Sequence, residues 1–410
     1  MRFNSRQGHR PEFLLHLLSP NVSGAQLLMT IRSIAIIAAL FAVLTAGAFA
    51  QSSMSIVYKY STLNFPGAPT FNNSTSANAI NNNNVVVGSY NDTANHMHGY
   101  IYSRGTYTAV NYPGAAATAA LGINDNNDIV GLYLLPNASA THGFLRHNGV
   151  FTTIDFPNST STAATGINNA GSLVGSYFSN SPGEHGFLLK SGAFTTIDAP
   201  LLNPGDLPDT ELNGINNQGW ITGQVFTGDF WRGFWIVGSD FDFLEPPFSL
   251  DNTVTSSNGH GDVVGEDAGL GFISFSVESS EGSESTERFP VRIRLNECPS
   301  GINFARVIVG PCRQGSGQAF LGVPALTLNV TSPVNHSTDT NPVHVAANAS
   351  GLNPVSQMQV WVNGKEIFHV SGGTLNTNIT LPVGANERFV VQAVDSKGVT
   401  TKVVETITVH

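Results

Sequence analysis

Short runs of five to seven residues, rich in Val, Ile, Phe and Thr and bounded by Gly, Asn or Pro, recur along most of the chain. One set of four such runs occupies residues 164–168, 172–178, 185–190 and 193–198. Runs of this length and composition predict β-strands. Asn169 to Gly171 and the pair Ser191-Gly192 separate neighbouring runs, and Asn and Gly accept the positive φ of tight hairpins. The pattern therefore predicts a four-stranded antiparallel sheet.

This set of strands is predicted to repeat six times. A motif of the type Gly-Ile-Asn-Asn, ending in glycine, marks each period, and its closing glycines are Gly88, Gly131, Gly175, Gly223, Gly265 and Gly310. Their intervals of 42 to 48 residues match the roughly 40–45 residues of a propeller blade. We therefore expect an all-β chain with a six-bladed β-propeller of about 44-residue four-stranded repeats over residues 51–324.

Two more motifs run in phase with the glycines. One begins at His98, His142 and His185 and reads His-Gly-Phe or His-Gly-Tyr, and the other is the Phe-Thr-Thr-Ile-Asp sequence before Pro157 and Pro200. The chain starts with a fourth-strand motif at residues 60–66 and leaves the repeats after a third-strand motif at residues 318–323. The N-terminal strand is thus expected to complete the last sheet and close the ring. The alternative is an open solenoid with the same period.

These three motifs resemble the HAF-type extracellular repeat of bacterial exported proteins. Here glycine mostly replaces the alanine of the His-Ala-Phe triplet, and Gln318 replaces the histidine in the last copy. The resemblance is strongest over residues 79–223. It implies export and a β-repeat fold, and it implies no particular reaction.

Residues 325–410 carry a different pattern, in which seven further runs predict seven strands. Asn363-Gly364 is a strong hairpin signal between two of them. Seven strands in this length predict an Ig-like β-sandwich, and the segment resembles the Ig-like domains appended to bacterial exported proteins. Trp361 is expected to be a core residue, because the cysteine pair of antibody domains is absent.

The N-terminal region, residues 1–50, reads as a targeting segment. Arg32 precedes an uncharged apolar run at residues 34–44, and Ala48-Phe49-Ala50 has the small-x-small pattern of a cleavage site. A run of this length is too short to span a bilayer as a helix, which is the alternative interpretation. We predict a signal peptide, with the true start at Met29 as an option, and a chain secreted to the extracellular space or the periplasm without a transmembrane anchor.

Composition narrows the choice of partners. The formal net charge is −10 and only 11% of residues are charged. A nucleic-acid partner is not expected, because such a binder needs a basic surface. Cys298 and Cys312, the only two cysteines, are predicted to form a disulfide in an exported chain, the alternative being two unpaired buried thiols.

Four groups of residues are candidates for chemistry. The recurring Asn81, Asn124, Asn168 and Asn216 are expected to satisfy backbone groups at a turn. His98, His142 and His185 have side chains that suit zinc or copper, but their recurrence with the repeat favours a structural role. Residues 124–128 have the clustered oxygens of a calcium loop, yet they lack the glycine and the glutamate of an EF-hand, so a hairpin turn is favoured. We predict no metal and no cofactor. An aromatic and acidic group in the fourth repeat could bind carbohydrate, with packing between blades as the alternative, and comprises Trp220, Asp229, Trp231, Arg232 and Trp235.

The sequence contains no recognisable catalytic motif. We interpret the chain as an exported, non-enzymatic binding or scaffold protein with an extracellular glycan or protein as its ligand. The alternative is a carbohydrate-binding or polysaccharide-active propeller, a lyase or a hydrolase, that uses the fourth repeat.

Overall fold

The computed structural model describes residues 53–69, 74–200, 209–244, 249–275, 291–295, 298–311 and 319–410. All regular elements among these residues are β-strands, so the predicted all-β class is confirmed. The predicted signal segment lies outside the described residues. No helix in the described part of the chain is long and apolar enough to cross a membrane.

After a first strand, β1 (Ser53–Leu63), five sheets follow in chain order, and each pairs consecutive strands antiparallel. Sheet one contains β2 (Thr75–Ile80), β3 (Val86–Asn91), β4 (Met97–Ser103) and β5 (Thr106–Val110). Sheet two contains β6 (Ala117–Ile123), β7 (Ile129–Leu134), β8 (Thr141–His147) and β9 (Val150–Ile154). Sheet three contains β10 (Ser161–Ile167), β11 (Leu173–Phe178), β12 (Glu184–Lys190) and β13 (Ala193–Ile197).

The next two sheets follow the same order. Sheet four contains β14 (Thr210–Ile215), β15 (Ile221–Phe226), β16 (Trp231–Val237) and β17 (Asp240–Phe243). Sheet five contains β18 (Asn252–Ser257), β19 (Val263–Asp267), β20 (Leu270–Phe275) and β21 (Val291–Leu295). Each four-strand set thus matches one period of the repeat.

Sheet six is assembled from both ends of the repeat region. Its strands are β22 (Gly301–Ile302), β23 (Ile308–Pro311), β24 (Ala319–Ser332) and the N-terminal β1. Strand β1 lies antiparallel to β24, from Leu63 opposite Ala319 to Ser53 opposite Val330. The prediction that the N-terminal strand completes the last sheet is confirmed.

The C-terminal strands form two sheets over one apolar core. They are β25 (Thr338–Asp339), β26 (Val343–Gly351), β27 (Val355–Val362), β28 (Lys365–Ser371), β29 (Thr374–Ile379), β30 (Gly384–Asp395) and β31 (Thr400–Val409). One sheet joins β26 and β29 to β24 and β1, and the other has the order β25-β31-β30-β27-β28. The first of the seven predicted strands is the second half of β24, the other six are β26 to β31, and β25 was not predicted. The hairpin at Asn363-Gly364 has the expected positive φ angles of 50° and 82°.

Strands β1 and β24 form a two-stranded ribbon that belongs both to sheet six and to the C-terminal sheet with β26 and β29. The first half of β24 pairs with β23, and its second half, from Leu326, pairs with β26. Strand β1 accompanies β24 along both halves, with a register shift beside Pro324. The boundary expected between residues 324 and 325 therefore falls inside one continuous strand rather than in a linker.

The six sheets pack in a cycle. Strand β6 packs on β3 and β4, β10 on β7 and β8, β14 on β11 and β12, β18 on β15 and β16, and β22 on β18 and β19. Strand β2 of sheet one in turn packs on β22 and β23 of sheet six. A small sheet buries little apolar area alone, so each sheet depends on its two neighbours. This arrangement supports the β-propeller fold.

One contact explains two of the sequence motifs. A Cβ atom placed on Gly175 would lie 2.0 Å from the carbonyl oxygen of Ala163 and 2.8 Å from the ring of Phe187. The closing glycine of every repeat faces the aromatic residue of the His-Gly-Phe motif in this way, at 2.7–3.1 Å: Gly88 with Tyr100, Gly131 with Phe144, Gly223 with Phe234, Gly265 with Phe272 and Gly310 with Phe320. The glycine is required because the buried ring takes the space of a side chain.

Gly175→Ala is therefore expected to lower the free energy of unfolding by about 3 kcal/mol, because the added methyl group meets backbone on one side and a buried ring on the other. Urea unfolding measures the change. The control is Gly171→Asn, since Gly171 has a φ of 76° and the equivalent Asn127 has a φ of 63°. Equal stability of Gly175→Ala and the wild type would contradict the packing described here.

Candidate functional site

Six asparagine side chains form a closed circuit of hydrogen bonds around the cycle of sheets. They are Asn81, Asn124, Asn168, Asn216, Asn258 and Asn303, here called the ring asparagines. Each donates from Nδ2 to the backbone oxygen of the next one, at 2.9–3.3 Å, and Asn303 donates to the oxygen of Asn81. All six are buried. The circuit returns to its start, so it links the last sheet to the first.

The same side chains also hold their own hairpins. Asn124 Oδ1 accepts hydrogen bonds from the backbone N–H groups of Asn126 and Asp128, at 3.0 and 2.9 Å. Equivalent bonds occur at Asn81, Asn168, Asn216 and Asn258. The predicted role of Asn81, Asn124, Asn168 and Asn216 in satisfying backbone groups at a turn is confirmed. Their second role, between sheets, was not predicted.

A second set of hydrogen bonds also links neighbouring sheets. Polar side chains of the first strands donate to backbone oxygens of the next sheet: Asn78 to Ala120, Thr165 to Leu212, Asn213 to Val254, Thr255 to Pro299 and Ser300 to Ala77. The first strands of all six sheets surround a central cavity of about 100 Å³. That volume has room for a few water molecules.

One end of this cavity, here called the first mouth, is formed by the residues that follow the ring asparagines: Asn82, Asp125, Asn169, Asn217, Gly259 and Phe304. Asp125 accepts hydrogen bonds from the side-chain amides of Asn82, Asn169 and Asn217, at 2.9, 2.7 and 3.3 Å. Partial burial raises the pKa of Asp125, but the hydrogen bonds from Asn169 and Asn82 lower it more, so the net pKa is below the ordinary value. The mouth therefore presents a stable carboxylate among amides.

The repeated histidines pack within their sheets. His142 lies on the ring of Tyr133, with centroids 5.2 Å apart, and its Nδ1 is 2.9 Å from Asp155. His98 and His185 have the same arrangement, on Tyr90 and Tyr177 and beside Asn111 and Asp198. In the described part of the chain, no three His, Cys, Asp or Glu side chains converge as a metal site. These contacts support the structural role.

The acid-rich segment at residues 124–128 forms a hairpin turn. Asn124 Nδ2 bonds to Asp128 Oδ2 at 3.0 Å, and Asp128 Oδ1 is 2.6 Å from His147 Nδ1. Asp125 belongs to the first mouth. The two carboxylates thus have different partners, which supports the turn over a calcium loop.

The residues of the aromatic group predicted in the fourth repeat lie at separate places in the structure. Trp220 lies in the hairpin before β15, beside the ring asparagine Asn216, whose Oδ1 accepts its backbone N–H at 3.0 Å. Trp231 begins β16 opposite Phe226, at the other end of β15. Six residues of extended chain, about 20 Å, separate these ends. Trp220 and Trp231 do not share one surface.

The other three members of the group also point in different directions. Trp235 packs against the core of sheet five, which includes Leu244 and Phe272. Arg232 lies on the opposite face of β16 from the two tryptophans, because side chains alternate along a strand, and its guanidinium is 5.0 Å from the ring of Phe243. Asp229 is exposed in the turn before β16.

A pair of carboxyl groups joins sheets three and four. The carboxyl group of Glu184, the first residue of β12, lies beside the carboxyl group of Glu211 in β14 and near Ser176. Gln224 donates from Nε2 to Glu211 Oε2 at 2.6 Å. Burial raises the pKa of Glu184 to about 7, and the nearby carboxyl groups of Glu211 and Asp209 add to the rise. Burial also raises the pKa of Glu211.

This carboxyl pair was missed in the sequence. Glu184 is 27 residues away from Glu211. The one local signal is that an acid precedes His185, where the other His-Gly-Phe copies have Met97 and Thr141.

Cys298 is buried. Cys312 lies outside the described residues, so the disulfide stays a prediction.

No protein-family model matches the chain, and no curated protein matches it. Among solved structures it is similar to virginiamycin B lyase from Staphylococcus aureus, at 11% identity and a TM-score of 0.40, over 65% of this chain and 99% of that one. It is also similar to a gluconolactonase from Xanthomonas campestris, at 9% identity and 0.40, over 67% and 94%. A fucose-specific lectin from Aleuria aurantia matches at 12% and 0.30, over 82% and 93%. At these values the matches assign no function to this chain.

The carboxyl pair makes stability depend on pH in a defined direction. A carboxyl group whose pKa is raised by folding contributes stability that is present below its ordinary pKa of 4.5 and is lost as the pH rises through about 7. Glu184→Gln keeps a neutral hydrogen-bonding group there at every pH. We expect the variant to match the wild type at pH 5 and to exceed its urea unfolding midpoint at pH 8.

Asp229→Asn is the matched control, because Asp229 is an exposed acid in the same region. Glu405, whose burial raises its pKa to about 7, contributes equally to the wild type and to both variants. A Glu184→Gln profile that runs parallel to the wild type from pH 5 to 8 would show that folding does not raise the pKa of Glu184.

Proposed function

We propose that this chain is an exported, non-enzymatic binding or scaffold protein, built as a six-bladed β-propeller of the HAF type followed by an Ig-like β-sandwich. The signal-like N-terminal segment supports export, and the six sheets that pack in a cycle support the number of blades. Its ligand would be a glycan or a protein outside the cell.

The observation that carries this proposal is the closed circuit of ring asparagines. Their amides, and those of the first mouth, bond to neighbouring sheets and so hold the ring together. Buried polar networks that are fully satisfied rigidify a fold. A rigid ring with a polar end suits a surface that binds or spaces other molecules.

The second candidate function is cleavage of a polysaccharide, and the carboxyl pair is the observation that favours it. A group with a raised pKa can serve as a general acid. However, the carboxyl groups of Glu184 and Glu211 lie side by side and interact as one pair. Glycosidases hold their two carboxyl groups about 5–5.5 Å apart when they retain configuration and about 6.5–9.5 Å apart when they invert it. The geometry therefore favours binding over hydrolysis.

Co-sedimentation with cellulose, chitin and xylan, together with a soluble-glycan array, tests the function. We expect the protein to be retained on at least one polymer or glycan and to release no soluble sugar during a long incubation. Soluble product that disappears with Glu211→Gln would contradict the proposal and favour the enzyme. Asp229→Asn is the control for a general effect of losing an acid.

A further inference from the structure

Phe304 is the one aromatic residue among the six that define the first mouth. It is 52% exposed. Its backbone N–H donates to Asn82 Oδ1 at 2.8 Å, which fixes its place beside the amides. Its ring stacks on His260, with centroids 3.8 Å apart and planes at 27°. The ring is therefore held from one side and remains accessible to solvent.

The neighbouring position in sheet five makes space for this ring. Gly259 has no side chain, and a Cβ atom there would lie 3.3 Å from the Phe304 ring. In sheets one to four the same position is occupied by the polar residues Asn82, Asp125, Asn169 and Asn217. The mouth thus has an aromatic side at sheets five and six and a polar side at sheets one to four.

The polar side offers both donors and acceptors to a ligand. Each side-chain amide has two N–H protons, and the bond to Asp125 uses one of them in Asn82, Asn169 and Asn217. The carboxylate of Asp125 stays ionised at neutral pH because its pKa is lowered. It accepts hydrogen bonds and repels anions.

We propose that the first mouth binds the ring of a neutral sugar, which lies flat on Phe304 and hydrogen-bonds through its hydroxyl groups to the amides and to Asp125. This inference rests on the proposed binding function and names its ligand class. A pyranose has an apolar face of C–H groups and a rim of hydroxyls, which matches an aromatic side next to a polar side.

Other ligand classes fit the mouth less well. A metal cation would have to displace the N–H donors that already bond to the Asp125 oxygens. An anion would meet the Asp125 carboxylate. The cavity of about 100 Å³ beneath the mouth holds a few water molecules, so the sugar lies on the mouth and not within the channel.

A glycan array with the full-length exported protein, followed by titration of the best neutral glycan, tests the site. We expect the wild type to bind and Phe304→Ala to bind at least 10-fold more weakly, with an unchanged thermal unfolding midpoint. Phe304→Trp should restore binding, because it retains a stacking face. Asn217→Ala should weaken binding without loss of the fold.

Two other aromatic residues serve as controls. Phe178→Ala removes a ring that is 46% exposed at the end of β11, and Trp231→Ala removes the aromatic predicted for the fourth repeat. Neither substitution should change the affinity. Equal binding by Phe304→Ala and the wild type, or loss of binding only in Trp231→Ala, would overturn the mouth as the site while leaving a binding protein.

A wild type that binds no neutral glycan on the array would also overturn the inference. In that case, binding of a purified protein would still support the proposed binding function. Release of a soluble sugar product would overturn that function.

Discussion

The hydrogen bond from each ring asparagine to the next sheet is the interaction on which the rest of the structure depends. A four-stranded sheet of this size cannot bury both faces alone, so it needs a neighbour on each side. Apolar packing supplies the attraction but does not fix the order or the number of the sheets. An amide that binds its own hairpin and the next hairpin at once fixes the distance between them. Because the amides are buried, each missing partner would cost about 1–3 kcal/mol.

The ring closes through the ribbon of β1 and β24. The same ribbon connects the six sheets of the ring to the C-terminal strands. Strand β1 is the outer strand of sheet six and lies at the edge of a C-terminal sheet. One strand therefore completes sheet six and also extends a C-terminal sheet. The ring and the C-terminal strands are thus joined by two continuous, paired strands and not by a linker.

Local features of this fold could be predicted from the sequence because they depend on neighbours along the chain. The strands, the hairpins and the closing glycines follow from short-range patterns, as Asn363-Gly364 and Gly175 illustrate. The pairing of β1 with β24 could be predicted because the repeat region begins with a fourth-strand motif and ends with a third-strand motif. Side-chain contacts between sheets could not be predicted, since the spacing of residues along the chain does not specify which side chains meet in space.

The candidate site shows this limit most clearly. The aromatic residues of the fourth repeat are close in sequence, but strand direction and side-chain alternation separate them. Phe304 occurs in a weak copy of the repeat, and its importance follows only from the position that it shares with Asn82 and Asp125 around the mouth. The carboxyl pair of Glu184 and Glu211 likewise requires two sheets to be adjacent.

Ring closure is tested most directly by the distance between the hairpins of the first and last sheets. Spin labels at Asn83→Cys and Ala305→Cys, with both native cysteines replaced by serine, report this distance by dipolar EPR; both positions are exposed. A closed ring predicts a separation of one sheet spacing, about 10 Å, plus the label linkers. An open stack would place the labels roughly 50 Å apart, five sheet spacings, and would contradict the account.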